Sequence, residues 1–386
     1  MTRIVSDERI RQDCELRLRL AEPGFAVRTV VPPGTVLYDP IVGWADPDGS
    51  FVVSDHGPQT DPGHWDPAKG SGGLYRLHPD DRLETLLAPG TFQGMPFNPR
   101  KAPESFGAVA GHIFTTSQRH AGKAGAQAGH VIAHLPPGAS QAEVFVEIPN
   151  AGTVNGGVPG ILMIGGFGPA GSPYEEQYFC NSLQNCTIYR VTPDRKVEVL
   201  ITLEPPNVPE RIIPYFVFWA GPSWGEHEGK MIVAGPAVEP KHWTVNFYAF
   251  DGFEFNPTPI LKDANFGLAM GEVAPPEFGP FGGQTFYVEF GSFNQIYDDE
   301  GGEHVTFVDN DGRLTEWGRN PLPYDERIVR IDRDGVHHVF ADRLQAGWNE
   351  IRFSRDRMII TSLRKSYSSG QYHEPDGSID EIRFVS

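Results

Sequence analysis

The sequence predicts an all-β fold, a six-bladed β-propeller of four-stranded antiparallel blades, and three observations lead to it. One short β-branched and aromatic run recurs six times: SFVVSD at 50, HIFTTS at 112, GILMIGG at 160, KMIVAG at 230, QTFYVEF at 284 and RMIITSL at 357. Each copy is preceded by a Gly- or Asp-rich turn and another apolar run, and is followed after a loop by a third run, the pattern of consecutive antiparallel hairpins. Gly (44) and Pro (35) supply about one residue in five of the 386, beside 39% hydrophobic and 11% aromatic residues. That composition describes a turn-rich globular chain and excludes both a long helical bundle and a disordered one.

The elements follow in order. IVGWAD at 41, FGAVA at 106, YFVFWA at 215 and EIRFSR at 350 read as innermost strands, and the six recurring runs as second strands. GLYRLHP, HVIAHLP, TIYRVTP, TVNFYAFD, RIVRIDRDG and DEIRFV read as third strands, with LETLLAPG, AEVFVEIP, VEVLITLEPP and VHHVFADRL as fourth strands. Such four-strand units repeating every 50–70 residues mark radial repetition, in which each sheet buries both faces against its neighbours. The expected blades are 35–90, 91–149, 150–205, 206–262, 263–344 and 345–386, within a single propeller domain over 1–386. The sixth unit ends with its third strand, so FAVRTVV at 25–31 is expected to close the ring as its outer strand and remove two open sheet edges. Two packed β-sandwiches are the competing architecture, which the equal spacing of the units disfavours.

Lys and Arg number 32 against 50 Asp and Glu, a formal charge of −18. A field of that sign repels phosphate backbones and anionic membrane surfaces, so neither nucleic acid nor membrane is an expected partner. The N-terminal stretch has no apolar signal-peptide core and no 18 apolar residues run together, which points to a cytoplasmic location. Cys14, Cys180 and Cys186 are too few for a disulfide framework or a zinc module and read as plain thiols. Composition does not fix an oligomeric state.

Chemistry is expected at one mouth of the central channel. The connections between second and third strands are long in every unit (55–73, 117–129, 167–186, 235–243, 291–326 and 364–378), whereas the other turns, such as DPDG at 46 and DRDG at 332, are mostly tight. Loops of that length in a compact domain are usually functional. His56, His64, His120, His242, His304 and His373 fall in them; His56, directly after a second strand, is the candidate general base, and His64, Trp65 and Trp243 are candidates for binding a bulky apolar or aromatic substrate. Residues leading into the innermost strands form a second set: Asp39, Glu104, Asn155, Tyr215, Glu272, Asn349 and Glu350. Of these, Glu104 and Glu272 are candidate acid/base groups and Tyr215 a substrate contact. Asp39, Asn155, Asn349 and Glu350 offer hard oxygen ligands for a divalent cation, Ca²⁺ or Mg²⁺. No GxSxG elbow, P-loop or dinucleotide fingerprint is present.

AGWNEIRFSRDRMIITSL, at 346–363, resembles a recurring segment of the senescence marker protein, gluconolactonase and strictosidine-synthase-like propellers, and YDPIVGWADPDGSFVVSD, at 38–55, is similar to their opening strand pair. The resemblance implies an axial divalent cation, commonly Ca²⁺, with Asp39 standing for the family's opening Glu and Asn349 for an axial Asn. It also implies a small-molecule enzyme. A metal-assisted hydrolase of lactone or ester type is the leading expectation; a metal-independent lyase, cyclase or isomerase using carboxylate or His chemistry is the alternative. A non-catalytic propeller that binds a ligand or protein is the third.

Overall fold

In the computed structural model the sequence forms six antiparallel sheets arranged around one axis. The structure describes residues 18–55, 57, 59–61, 64–65, 72–89, 95–119, 129–149, 153–154, 158–159, 162–182, 185–214, 216–236, 245–264, 268–289, 296–297, 305–308, 314–316, 326–344, 350–362 and 377–385. Blade 1 comprises Pro40–Ala45, Phe51–Asp55, Leu74–Leu77 and Leu83–Leu87; blade 2, Met95–Lys101, Ile113–Arg119, Gly129–Leu135 and Glu143–Ile148; blade 3, Leu162–Phe167, Tyr178–Ser182, Thr187–Val191 and Val197–Thr202. Blade 4 is built from Phe216–Trp219, Met231–Pro236, Val245–Asp251 and Leu261–Ala264, and blade 5 from Leu268–Val273, Thr285–Glu289, Glu326–Ile331 and His337–Leu344. Arg19–Leu20 adds a fifth strand to the outer edge of blade 5.

Blade 6 holds Glu350–Ser354, Arg357–Ser362 and Ser378–Phe384, and its outer strand is Phe25–Val31, as expected. The register runs Phe25↔Phe384, Val27↔Ile382 and Thr29↔Asp380 before a bulge. Polar contacts fasten it: Thr29 Oγ1 donates to Asp380 at 2.7 Å, and Arg28 bridges Glu381 (3.1 Å) and Asp81 of blade 1 (2.5 and 2.9 Å). The first strand of every blade packs on those of both neighbours, so the six innermost strands ring the axis.

Two expectations are corrected. GILMIGG is the first strand of blade 3, not the second; Tyr178–Ser182 is the second. Its alternation of apolar and small residues looks the same in either place, and only the pairing with Tyr178–Ser182 decides. The turns between first and second strands are not mostly tight either. In blades 2, 4 and 5 they are one repeated loop, 102–112, 220–230 and 274–284, reading A-x-x-x-aromatic-G-x-x-x-G-x.

Each copy makes the same five backbone hydrogen bonds, including Ala102 N to His112 O, Ala220 N to Lys230 O and Ala274 N to Gln284 O. The Gly after the aromatic residue has φ of 63°, 55° and 63° in the three loops, a conformation glycine adopts without steric cost. The aromatic residue turns inward and wedges into the next blade. Phe106 meets Phe167 of blade 3 at 4.8 Å, Trp224 Nε1 donates to Thr285 Oγ1 of blade 5 at 2.8 Å, and Phe278 meets Phe353 of blade 6 at 4.8 Å. A variant loop at 168–177 puts Tyr174 against Trp219 of blade 4 at 4.9 Å.

Phe106 and Phe278 are fully buried and Trp224 is nearly so. Phe106→Ala, Phe278→Ala and Trp224→Ala should each cost about 3–5 kcal/mol in equilibrium urea unfolding, whereas Glu104→Ala, exposed in the first of these loops, should stay within about 0.5 kcal/mol of the parent.

Candidate functional site

The site is assembled where the innermost strands approach most closely. Gly43, in the first strand of blade 1, lies so near blade 2 that a Cβ there would sit 2.2 Å from the carbonyl oxygen of Pro99. No residue but glycine fits. Its own carbonyl oxygen is aimed across the axis and accepts hydrogen bonds from two guanidinium groups, Arg100 of blade 2 and Arg352 Nε of blade 6 at 2.8 Å. Arg352 Nη1 also donates to Ile351 O at 2.6 Å. Arg100 lies across blade 3, its Nε 3.3 Å from where a Cβ on Gly166 would stand. Gly166, at φ 113°, leaves that space open.

Two glutamates complete the cluster. Glu272, fifth residue of the first strand of blade 5, accepts the Phe353 N–H of blade 6 through Oε2 at 2.9 Å. Glu350 begins the first strand of blade 6 and, like Arg352, is buried, at 2% and 4% exposure. Arg100 and Glu272 differ from these two: surrounded by protein, both keep part of their surface accessible. They are the charged pair of this cluster that keeps accessible surface.

The electrostatics follow from that placement. Burial pushes the Arg100 guanidinium down to about 9, helped by the like charge of Arg352 and opposed by Glu350, Tyr178 and Glu272. Burial raises the Glu272 carboxyl above its ordinary value, with Arg352, the Phe353 N–H and Arg100 pulling it back. Burial likewise raises the Tyr178 hydroxyl beside Arg100.

Blade 2 adds a residue that the sequence reading missed. Arg100 pairs with Phe114 and Phe97 with Thr116, so Asn98 and Pro99 together oppose Thr115 in a bulge. Asn98 is fully buried at φ 41°, a left-handed conformation disfavoured before proline, and neither side-chain polar atom finds a hydrogen-bond partner among the described residues. Thr115 Oγ1 beside it is also unpartnered there. The Asn-Pro pair inside an apolar run was the signal available in the sequence.

The predicted residues divide as follows. Glu272 and Glu350 are brought to the axis. Asp39 is buried just before the first strand of blade 1, its N–H and that of Tyr38 held by Asp55 Oδ1 at 2.7 and 2.9 Å. Glu104 is corrected: it does not lead into an innermost strand but begins the 3-10 turn of the repeated loop after it, exposed and on the side of the ring away from the second-to-third connections. FGAVA, read as a strand, is that turn. His64 and Trp65 lie in a two-residue strand pairing with Gln59–Asp61. His56, Asn155, Tyr215, Trp243 and Asn349 lie outside the described residues.

The cation ligands are therefore half described. Among the described residues no three His, Cys, Asp or Glu side chains converge to hold an ion, and the axial carboxylates have guanidinium neighbours to balance them. Of the expected cation ligands the described ones are Asp39 and Glu350, and Glu350 lies within electrostatic reach of Arg100.

No family model matches the chain. No curated protein matches its sequence. Among solved structures it is similar to virginiamycin B lyase from Staphylococcus aureus (TM-score 0.46, 11% identity, covering 94% of this chain and 100% of that one). It is also similar to a putative oxidoreductase (glucose dehydrogenase) from Thermus thermophilus (0.45, 13%, 93% and 100%) and to a putative gluconolactonase (0.42, 9%, 95% and 97%). The resemblance to lactonase- and lyase-type propellers is thus a distant one.

Two outcomes test the site. Gly43→Ala should lower the thermal midpoint, because neither backbone segment can yield without moving the shared acceptor of both arginines. Glu272→Gln should raise it at neutral pH: with a folded-state pKa above the ordinary 4.5, Glu272 contributes stability that is present below 4.5 and lost as pH rises through the raised value. Urea midpoints of parent and variant should therefore diverge as pH rises from about 5 to about 8.

Proposed function

We propose that the chain is an enzyme of small-molecule chemistry that hydrolyses a lactone or ester in its central channel, with Arg100 as electrophile and Glu272 as base. The supporting observation is that these two groups, from different blades, retain accessible surface at the axis and sit within each other's electrostatic reach. The Arg100 guanidinium donates hydrogen bonds to the substrate carbonyl oxygen. Glu272 takes a proton from water as the water oxygen bonds to the carbonyl carbon. The negative charge that develops on the carbonyl oxygen is stabilised by the guanidinium. When the carbonyl re-forms, the C–O bond to the leaving alkoxide breaks, and the proton returns from Glu272 to that oxygen. The upward shift of Glu272 suits a base that must hold and return a proton near neutral pH.

That same basicity favours one second reading. Glu272 would take a proton from the carbon next to the carbonyl, with Arg100 stabilising the enolate, in an elimination or isomerisation. A new carbon–carbon double bond or solvent deuterium at carbon marks this course, and solvent oxygen in the product carboxylate marks hydrolysis.

A panel of aromatic and aliphatic lactones and esters, assayed with the full chain, tests the proposal. Arg100→Met and Glu272→Gln should each lower kcat by about 10²–10⁴-fold. The pH profile should rise along a limb above the usual carboxylate range, and Glu272→Gln should lose that limb. Chelation should leave the rate unchanged. Loss of activity on chelation, restored by Ca²⁺ or Mg²⁺, would overturn the arginine reading in favour of a cation held by Asp39, Asn155, Asn349 and Glu350.

A further inference from the structure

The loop copy in blade 2 carries a device absent from the other two. Its last residue is His112, where blade 4 has Lys230 and blade 5 has Gln284. The His112 carbonyl accepts the Ala102 N–H at 2.9 Å, and Ala102 is two residues after Arg100. The end of the loop is thus bonded to the chain that leaves the axial site.

Opposite His112 stands His134, in the third strand of blade 2, buried at 3% exposure with its ring against Phe145 (5.4 Å) and Phe114 (5.7 Å). The two Nδ1 atoms are 2.9 Å apart and the rings are inclined by only 21°. Charged groups reach the pair from two further elements. Glu143 Oε2, on the outer strand of blade 2, is 3.7 Å from His134 Nε2 and largely in solvent. Arg195, on the turn of blade 3, stacks over Phe145 at 5.1 Å and adds positive potential.

A gap of 2.9 Å between two ring nitrogens accommodates one proton, with one ring donating and the other accepting. Two neutral rings satisfy it. So does a pair with one added proton, both Nε2 atoms then carrying hydrogen and that of His134 facing Glu143. A fourth proton sets N–H against N–H between two cations, and the contact cannot survive. Burial and the neighbouring ring already push His134 below its ordinary value.

We propose that His112 and His134 form a single-proton clamp on the 102–112 loop of blade 2, which opens when acid charges both rings and loosens the chain segment that seats Arg100. The clamp does not depend on which reaction the axial site performs.

Amide hydrogen exchange of the full chain, read by mass spectrometry at about pH 7.5 and about pH 5 and corrected for intrinsic rates, tests it. In the parent protein the protection of residues 102–112 should fall roughly tenfold relative to the sister loop 274–284, which carries no histidine. His112→Gln installs the residue that blade 5 uses and should abolish the difference. His112→Lys, the blade 4 residue, serves if that variant folds poorly. Equal acid loss of protection in parent and variant, or no acid loss in the parent, would overturn the proposal.

Discussion

The seam between neighbouring blades is the constraint on which the rest of this molecule depends. A blade is a four-stranded sheet with two apolar faces, and neither is stable until the next blade covers it. Strand pairing acts within blades and does nothing across the gaps. The protein fastens four of its six gaps in one way, by a loop of about ten residues that drives an aromatic side chain into the next sheet: Phe106, Tyr174, Trp224 and Phe278. The gaps on either side of blade 1 have short turns and add charged contacts to their apolar packing. Lys101 reaches Asp46 at 3.1 Å, Arg357 donates to Gly49 O at 3.2 Å, and Arg28 spans the closure to Asp81. The ring is apolar-sealed all round, with charged contacts added on both sides of blade 1.

That distribution bears on the axial site. The blades joined by these charged contacts, 1, 2 and 6, are also those that supply Gly43, Arg100 and Arg352. Backbone approach at Gly43 and Pro99 is too tight for any side chain, so the long arginines extend along the axis and take a carbonyl oxygen as their acceptor. Placing guanidinium groups there has a solvation cost that the buried glutamates offset only in part, as the lowered affinity of Arg100 for its proton shows. Glu272 bears the converse strain. A site in which an acid and a base are each displaced from their ordinary proton affinities is poised for proton transfer.

The strand rhythm, the six units and the closing strand were legible in the sequence because each is local: alternation, turn residues and spacing suffice. The order of strands in blade 3 was not, because GILMIGG has the same pattern whether it lies first or second. Glu104 was misplaced for a related reason. FGAVA has the composition of a strand, and only comparison with SWGEHEG and EFGPFGG shows a turn built around an aromatic-Gly pair. The placement of Glu272 and Glu350 at inner strands was legible because each stands at or in a short apolar run. Arg100 and Arg352 were overlooked because an arginine in an alternating strand ordinarily marks a solvent face, and their meeting at Gly43 O joins residues 252 positions apart. Asn98 was hidden in the same strand, its significance lying in burial without a partner.

The chain as a whole is strongly negative, whereas the axial cluster sets two guanidinium groups against two carboxylates, and the contrast limits what the site can favour. A chain of net charge −18 opposes the approach of an anion, so guanidinium groups at the axis are poorly served by a substrate that is already negative. They act better on a neutral carbonyl compound that becomes negative only as it reacts. Binding energy is then expressed where charge develops, in the transition state rather than the ground state, the condition for raising kcat rather than merely tightening binding. The partial neutralisation by Glu272 and Glu350 works in the same direction. It leaves the resting cluster close to balanced, so that in the hydrolytic reading proposed above the pull of Arg100 would act on charge that develops during the reaction.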